Sequence, residues 1–108
     1  MCGVAGIIDY RGKTNTVSAV GTMLHAFNHR GPDESGIYHS PLATIGNVRL
    51  SIIDLQTGQQ PLSDISGRYW IVFNGEIFNY IELREELDKK DVRLRTRSDT
   101  EVLVTLFA

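Results

Sequence analysis

The chain has 108 residues and a formal net charge of −2, from 11 Lys and Arg against 13 Asp and Glu. That length suits one small domain and excludes two ordinary ones, and 42% apolar with 22% charged residues is the composition of a folded soluble protein. The near-neutral charge argues against a nucleic-acid partner, and no apolar run approaches the ~20 residues of a membrane span. The opening residues lack a basic leader and meet Asp9 too soon for a secretory signal, so a cytoplasmic, reducing setting is expected for the single cysteine.

In chain order, Val4-Ala5-Gly6-Ile7-Ile8 predicts a strand covered on both faces and ended by Asp9 and the Arg11-Gly12 turn. Val17, Val20, Leu24 and Phe27 recur at helical spacing behind Asn15 or Thr16 as cap, and Gly31-Pro32 stops that helix. Gly36 to Ser40 and Ala43 to Asp54 read as two extended segments separated by Pro41, followed by a loop from Gln56 to Arg68. Tyr69 to Phe73 predicts a second strand apolar on both faces, ended at Asn74-Gly75. Asn79 with Glu82 has the form of a capping box before a helix bearing Tyr80, Leu83 and Leu87. Arg93 to Arg97 alternates as a strand would, and Ser98 with Glu101 opens a further capped helix carrying Val102, Leu103 and Leu106. The order is α+β, and two strands apolar on both faces predict a sheet packed on a sheet with helices outside. The helical pattern breaks off at Ala108, which leads us to expect further layers beyond this chain.

Cys2 follows only the initiator methionine, whose removal would leave a thiol and an α-amine on one residue. An α-amine titrates at about 7.7 to 8.0, so it accepts a proton near neutral pH and can activate its own nucleophile. The alternative is a small apolar residue opening a strand. Asn74 and Gly75, at a strand end, offer a side-chain amide and a backbone N–H to a developing oxyanion, worth roughly 3 to 4 kcal/mol per donor; a plain hairpin turn has the same signature. Arg49, in an otherwise apolar strand, suits a bidentate carboxylate contact, and Asp99 at a helix start suits an ammonium; an edge-strand Arg and a helix-capping Asp are the structural alternatives. His25 and His29 lack the partners of a zinc site, so no metal is expected. Arg93, Arg95 and Arg97 share one strand face, which is read as solvated surface.

Met1-Cys2-Gly3 with Gly6, His29-Arg30-Gly31-Pro32-Asp33, Arg49-Leu50-Ser51-Ile52-Ile53-Asp54, Gln60-Pro61-Leu62, Asn74-Gly75-Glu76-Ile77-Phe78-Asn79 and Ser98-Asp99-Thr100-Glu101 occur in order across nearly the whole chain. In these blocks the sequence resembles the class II glutamine amidotransferases, the N-terminal-nucleophile glutaminases, and within them the glutamine-dependent asparagine synthetases. Phe78 departs from the usual Tyr, and the chain is about half the length of the family's glutaminase domain.

The resemblance implies an N-terminal-nucleophile αββα sandwich, incomplete here, with residues 1–108 as the N-terminal part of the amidotransferase domain and the synthetase domain absent. It implies that Cys2 attacks the glutamine carboxamide, that Asn74 and Gly75 form the oxyanion hole, and that Arg49 with backbone groups of Leu50, Ser51, Ile52 and Ile53 binds the α-carboxylate. Glu76 and Asp99 would hold the α-amino group, and the Arg30 to Asp33 loop would shape the pocket. No cofactor is implied for this chain; Mg-ATP belongs to the synthetase domain that would use the ammonia to convert aspartate to asparagine. Partners implied are glutamine, the remainder of the glutaminase domain and the synthetase domain, with self-association expected from uncovered apolar faces. A non-catalytic glutamine-binding or interaction module, an amidotransferase with another ammonia acceptor, and a Cys–His hydrolase using His29 or His39 are the competing readings.

Overall fold

The computed structural model describes residues 2–12, 15–50 and 59–108. Strand β1 (Gly3–Ile8) is followed by helix α1 (Thr16–Ala26), a single 3-10 turn at Asn28–Arg30, and strands β2 (Glu34–His39) and β3 (Ala43–Arg49). Two short strands, β4 (Leu62–Ser63) and β5 (Trp70–Ile71), precede helices α2 (Tyr80–Lys89) and α3 (Asp99–Phe107). The fold is α+β, as its alternating patterns predict.

The first sheet has the order β1-β3-β2, antiparallel throughout, with Gly3 opposite Val48 and Glu34 opposite Arg49. Because side chains alternate along a strand, Ala5, Ile7, Thr44 and Val48 share one face, and α1 covers it with Val20 and Leu24. Asn15 caps α1 by accepting the Ser18 N–H at 3.1 Å. Thr16 Oγ1 lies 2.7 Å from Thr44 Oγ1, which satisfies two buried hydroxyls between helix and sheet.

The opposite face receives the second sheet, β4 paired with β5. Tyr38 of β2 stacks on Trp70 of β5 with ring centroids 4.0 Å apart. Gly36 is where the backbones meet: a Cβ there would lie 2.2 Å from the Gln60 carbonyl oxygen, so any larger residue would force the layers apart. Beyond the second sheet lies α3, with Phe107 edge-on to Tyr69 at 5.2 Å and α2 against α3.

Coverage of β1 is one-sided, contrary to expectation: Val4 is 44% and Ile8 64% exposed, because the second sheet lies over β2 and not over β1. Phe78, Phe107 and Ile81 are exposed too. The predicted strand from Tyr69 to Phe73 shrinks to two residues because side chains take its terminal donors: Tyr69 N–H donates to Asp64 Oδ1 at 2.9 Å and Phe73 N–H to Gln60 Oε1 at 2.6 Å. Arg93 to Arg97 forms no strand. Neither capping box closes as drawn: Asn79 makes no side-chain cap, and Ser98 caps the Thr100 N–H at 3.0 Å while Glu101 turns elsewhere. The part of the predicted extended segment beyond Leu50, and the start of the following loop, lie outside the described residues.

The β4–β5 connection is organised by Asp64, whose carboxylate accepts from the Ser66 hydroxyl, from Tyr69 N–H, and from Ser66 N–H at 3.1 Å. The Ser66 hydroxyl first, then the Tyr69 N–H, hold its pKa below the ordinary 3.8. The folded pKa is therefore the lower one, so this stabilisation is complete above the usual carboxylate range and is lost as pH falls through the depressed value. Asp64→Ala is expected to lower the urea midpoint at pH 7, with the gap to wild type closing in strongly acidic buffer; a gap independent of pH would contradict the assignment.

Candidate active site

Three chain segments converge at one end of the first sheet. The register of β1 on β3 ends at Gly3 opposite Val48, and continued by one residue it sets Cys2 opposite Arg49. Arg49 in turn pairs with Glu34, the first residue of β2. Cys2 is half-buried and free of any disulfide.

The loop from Asn28 to Asp33 wraps the end of β3. Asp33 N–H donates to the Arg49 carbonyl at 3.2 Å, and Pro32 forms a parallel bridge to Arg49. Gly31 lies so close that a Cβ would come 2.4 Å from Arg49 N, which only glycine permits. His29, Arg30, Pro32 and Leu50 line an open cavity of about 370 Å³ at this end. Cys2, Asn74 and Arg49 are not among the residues that line this cavity.

Asn74 reaches Cys2 from a distance of 72 residues in sequence: its Nδ2 donates to the Cys2 carbonyl oxygen at 3.0 Å. One N–H of the carboxamide is thereby used and the second remains. The Gly75 N–H takes no hydrogen bond among the described residues. The turn carrying them is fixed to α3, because Ile77 N–H donates to Asp99 Oδ2 at 2.9 Å. Asp99 thus has a structural partner on one oxygen, and Glu76 on the same turn is exposed.

Arg49 is buried and carries an internal counter-charge, with Nη1 3.2 Å from Glu34 Oε2 and side chains 11% and 24% exposed. The edge-strand alternative does not describe it: Arg49 sits on the central strand β3 and pairs with Glu34 of the neighbouring strand. Ser51, Ile52 and Ile53 lie outside the described residues.

A profile of the glutamine amidotransferase domain family matches residues 1–108. The chain belongs to the glutamine amidotransferase family. This amidotransferase chain is 46% identical, over 99% of its length, to the glutamine-hydrolysing asparagine synthetase 1 of Bacillus subtilis, of which it covers 17%. It is 38% identical over 99% of its length to asparagine synthetase B of Escherichia coli, covering 19% of that protein. A third relative, the glutamine-hydrolysing asparagine synthetase 3 of Bacillus subtilis, is 32% identical over 96% of the chain and 17% of the relative. The amidotransferase chain therefore spans less than a fifth of the length of these relatives.

The amidotransferase fold gathers Cys2, Asn74, Gly75 and Arg49 through main-chain register and two long-range hydrogen bonds, with Asp99 one contact behind them. It separates His39, which lies opposite Thr44 and bonds its Oγ1 at 2.7 Å. Five residue steps along β3 separate Thr44 from Arg49, roughly 17 Å of strand, so His39 is no base for Cys2. Arg93, Arg95 and Arg97 are all exposed, in keeping with a solvated face, and Arg95 also binds Glu101 and the Ser63 carbonyl. Among the described residues no three His, Cys, Asp or Glu side chains group as metal ligands, and no helix is long and apolar enough to cross a membrane. Glu34 is the residue overlooked in sequence; Glu101 and Gln60 are named there without these partners, and Gln60 Nε2 donates to Thr100 Oγ1 at 3.3 Å while its Oε1 accepts the Phe73 N–H. For Gln60 the signal is a long polar side chain immediately before Pro61, next to an apolar strand.

Proposed function

We propose that this domain hydrolyses glutamine to glutamate and ammonia through a cysteinyl thioester, within an αββα N-terminal-nucleophile fold. The observation that carries the reading is the Asn74 Nδ2 contact with the Cys2 carbonyl, which holds an amide donor beside the first residue after the initiator methionine. Once Met1 is removed, the Cys2 α-amine takes the thiol proton as sulfur bonds the carboxamide carbon. The remaining Asn74 N–H and the Gly75 N–H receive the oxyanion. The protonated amine returns its proton to the departing nitrogen, the C–N bond breaks, and ammonia leaves. Water then attacks the thioester carbon, freeing glutamate and restoring the thiol.

Arg49 with Leu50, Ser51, Ile52 and Ile53 is assigned to the substrate α-carboxylate, and Asp99 with Glu76 to the α-amine. Anchoring both ends makes the site selective, since a ligand lacking either forgoes a charge-assisted contact. By analogy with its relatives, the glutamine-hydrolysing asparagine synthetases, the ammonia serves asparagine synthesis by a separate synthetase region.

The test is glutamate release from glutamine by the demethionylated chain and by Cys2→Ala. Release by the wild type alone supports the reading; glutamine binding without release by either favours a binding module. Asn74→Ala is expected to lower kcat by about 10²- to 10³-fold with little change in KM, because its second N–H acts on charge present only in the transition state. A matching rise in KM would show that Asn74 binds ground-state substrate.

A further inference from the structure

We infer that Glu34 is a positioning residue: its carboxylate holds the Arg49 guanidinium where a substrate α-carboxylate can meet it, so Glu34 sets substrate selectivity without touching substrate. The inference rests on the glutaminase reading above. Glu34 and Arg49 stand opposite each other on adjacent antiparallel strands, so their side chains leave the sheet on the same face. The continued register puts Cys2 across from Arg49 on the other side of β3, and alternation gives it that face too. The 3.2 Å contact joins Nη1 to Oε2 with both side chains largely withdrawn from water, where screening is weak.

The backbone at this point is secured without the side chains. Asp33 N–H donates to the Arg49 carbonyl, Pro32 bridges Arg49, and Gly31 abuts it. The ion pair is therefore surplus to strand pairing, and its effect falls on the guanidinium. A long, flexible Arg side chain left to itself loses rotamer freedom when it binds a carboxylate; one already fixed by an internal partner has lost it beforehand.

The experiment compares steady-state kinetics on L-glutamine and on γ-aminobutyramide, which is glutamine without its α-carboxylate. Glu34→Ala is expected to raise KM for glutamine about tenfold with kcat within about twofold, and to leave kcat/KM for γ-aminobutyramide unchanged. Glu34→Gln keeps an oxygen acceptor for Nη1 and is expected to restore most of the glutamine KM. If Glu34→Ala does not fold, Glu34→Asp, which withdraws the carboxylate by one methylene, should show the same split between substrates. Equal losses on both substrates, or none on either, overturn the inference while leaving the glutaminase reading standing. Absence of glutamine turnover by the wild-type chain overturns both.

Discussion

Retaining Met1, or acetylating the Cys2 α-amine, is expected to lower kcat/KM for glutamine by about 10²- to 10⁴-fold, the range contributed by a positioned general base. The geometry leaves the thiol few other bases. His39 is bonded to Thr44 at the far end of the sheet, and Asp99 is engaged by Ile77 N–H. A free α-amine has a reference pKa of about 7.7 to 8.0 and accepts a proton at neutral pH, whereas an amide nitrogen does not. Blocking it removes the base while leaving the thiol, the Asn74 contact and the strand register in place. The comparison to make is between intact-mass-verified chains with and without Met1, assayed for glutamate release beside Cys2→Ala. Cys2→Ala should fall to background, and the blocked chain should sit close to it. Equal activity with Met1 present would transfer the role to a histidine such as His29, which lines the cavity beside Leu50, and His29→Ala would then abolish turnover.

The contrast between what the sequence shows and what it hides is chemical. Helix α1 is legible because Val20 and Leu24 lie on one stripe and Asn15 supplies a local cap, both properties of neighbouring residues. Strand β1 is legible as a strand, but not the exposure of Val4 and Ile8, since coverage depends on where a second sheet falls. Cys2, Asn74 and Gly75 are legible as candidates from position and type; that Asn74 meets Cys2 depends on a fold bringing together residues 72 apart. Arg49 is legible as a cation in an apolar strand, yet its partner Glu34 is fixed only by the β2–β3 register. Arg93 to Arg97 misleads outright. Its alternation imitates a strand, but its backbone donors go to a carboxylate, and periodicity carries no information about that.

That carboxylate belongs to Glu101, and Glu101→Ala is expected to destabilise the chain by about 3 kcal/mol, as removal of a buried hydrogen-bonded charge does. Glu101 is 2% exposed although it sits in the first turn of α3. Its Oε1 accepts the Arg95 N–H at 2.7 Å and its Oε2 the Thr96 N–H at 2.6 Å, with the Thr96 hydroxyl also on Oε2. The Arg95 guanidinium lies 3.6 Å from Oε1 at Nε and extends to the Ser63 carbonyl, tying the segment to β4. One side chain therefore replaces the sheet partner that Arg93 to Arg97 lacks, and its negative charge also suits the positive end of α3. Truncation strands two backbone donors and frees the loop that joins α2 to α3. Because α3 also carries Asp99, which fixes the Asn74 turn through Ile77, loosening its first turn should reach Cys2. Urea denaturation measures the loss, and Glu101→Gln should recover part of it, since one carbonyl oxygen can still accept while the amide group opposes the second N–H. If Glu101→Ala changes stability by under 1 kcal/mol, the loop is held by other means and the link from α3 to the nucleophile does not run through this residue.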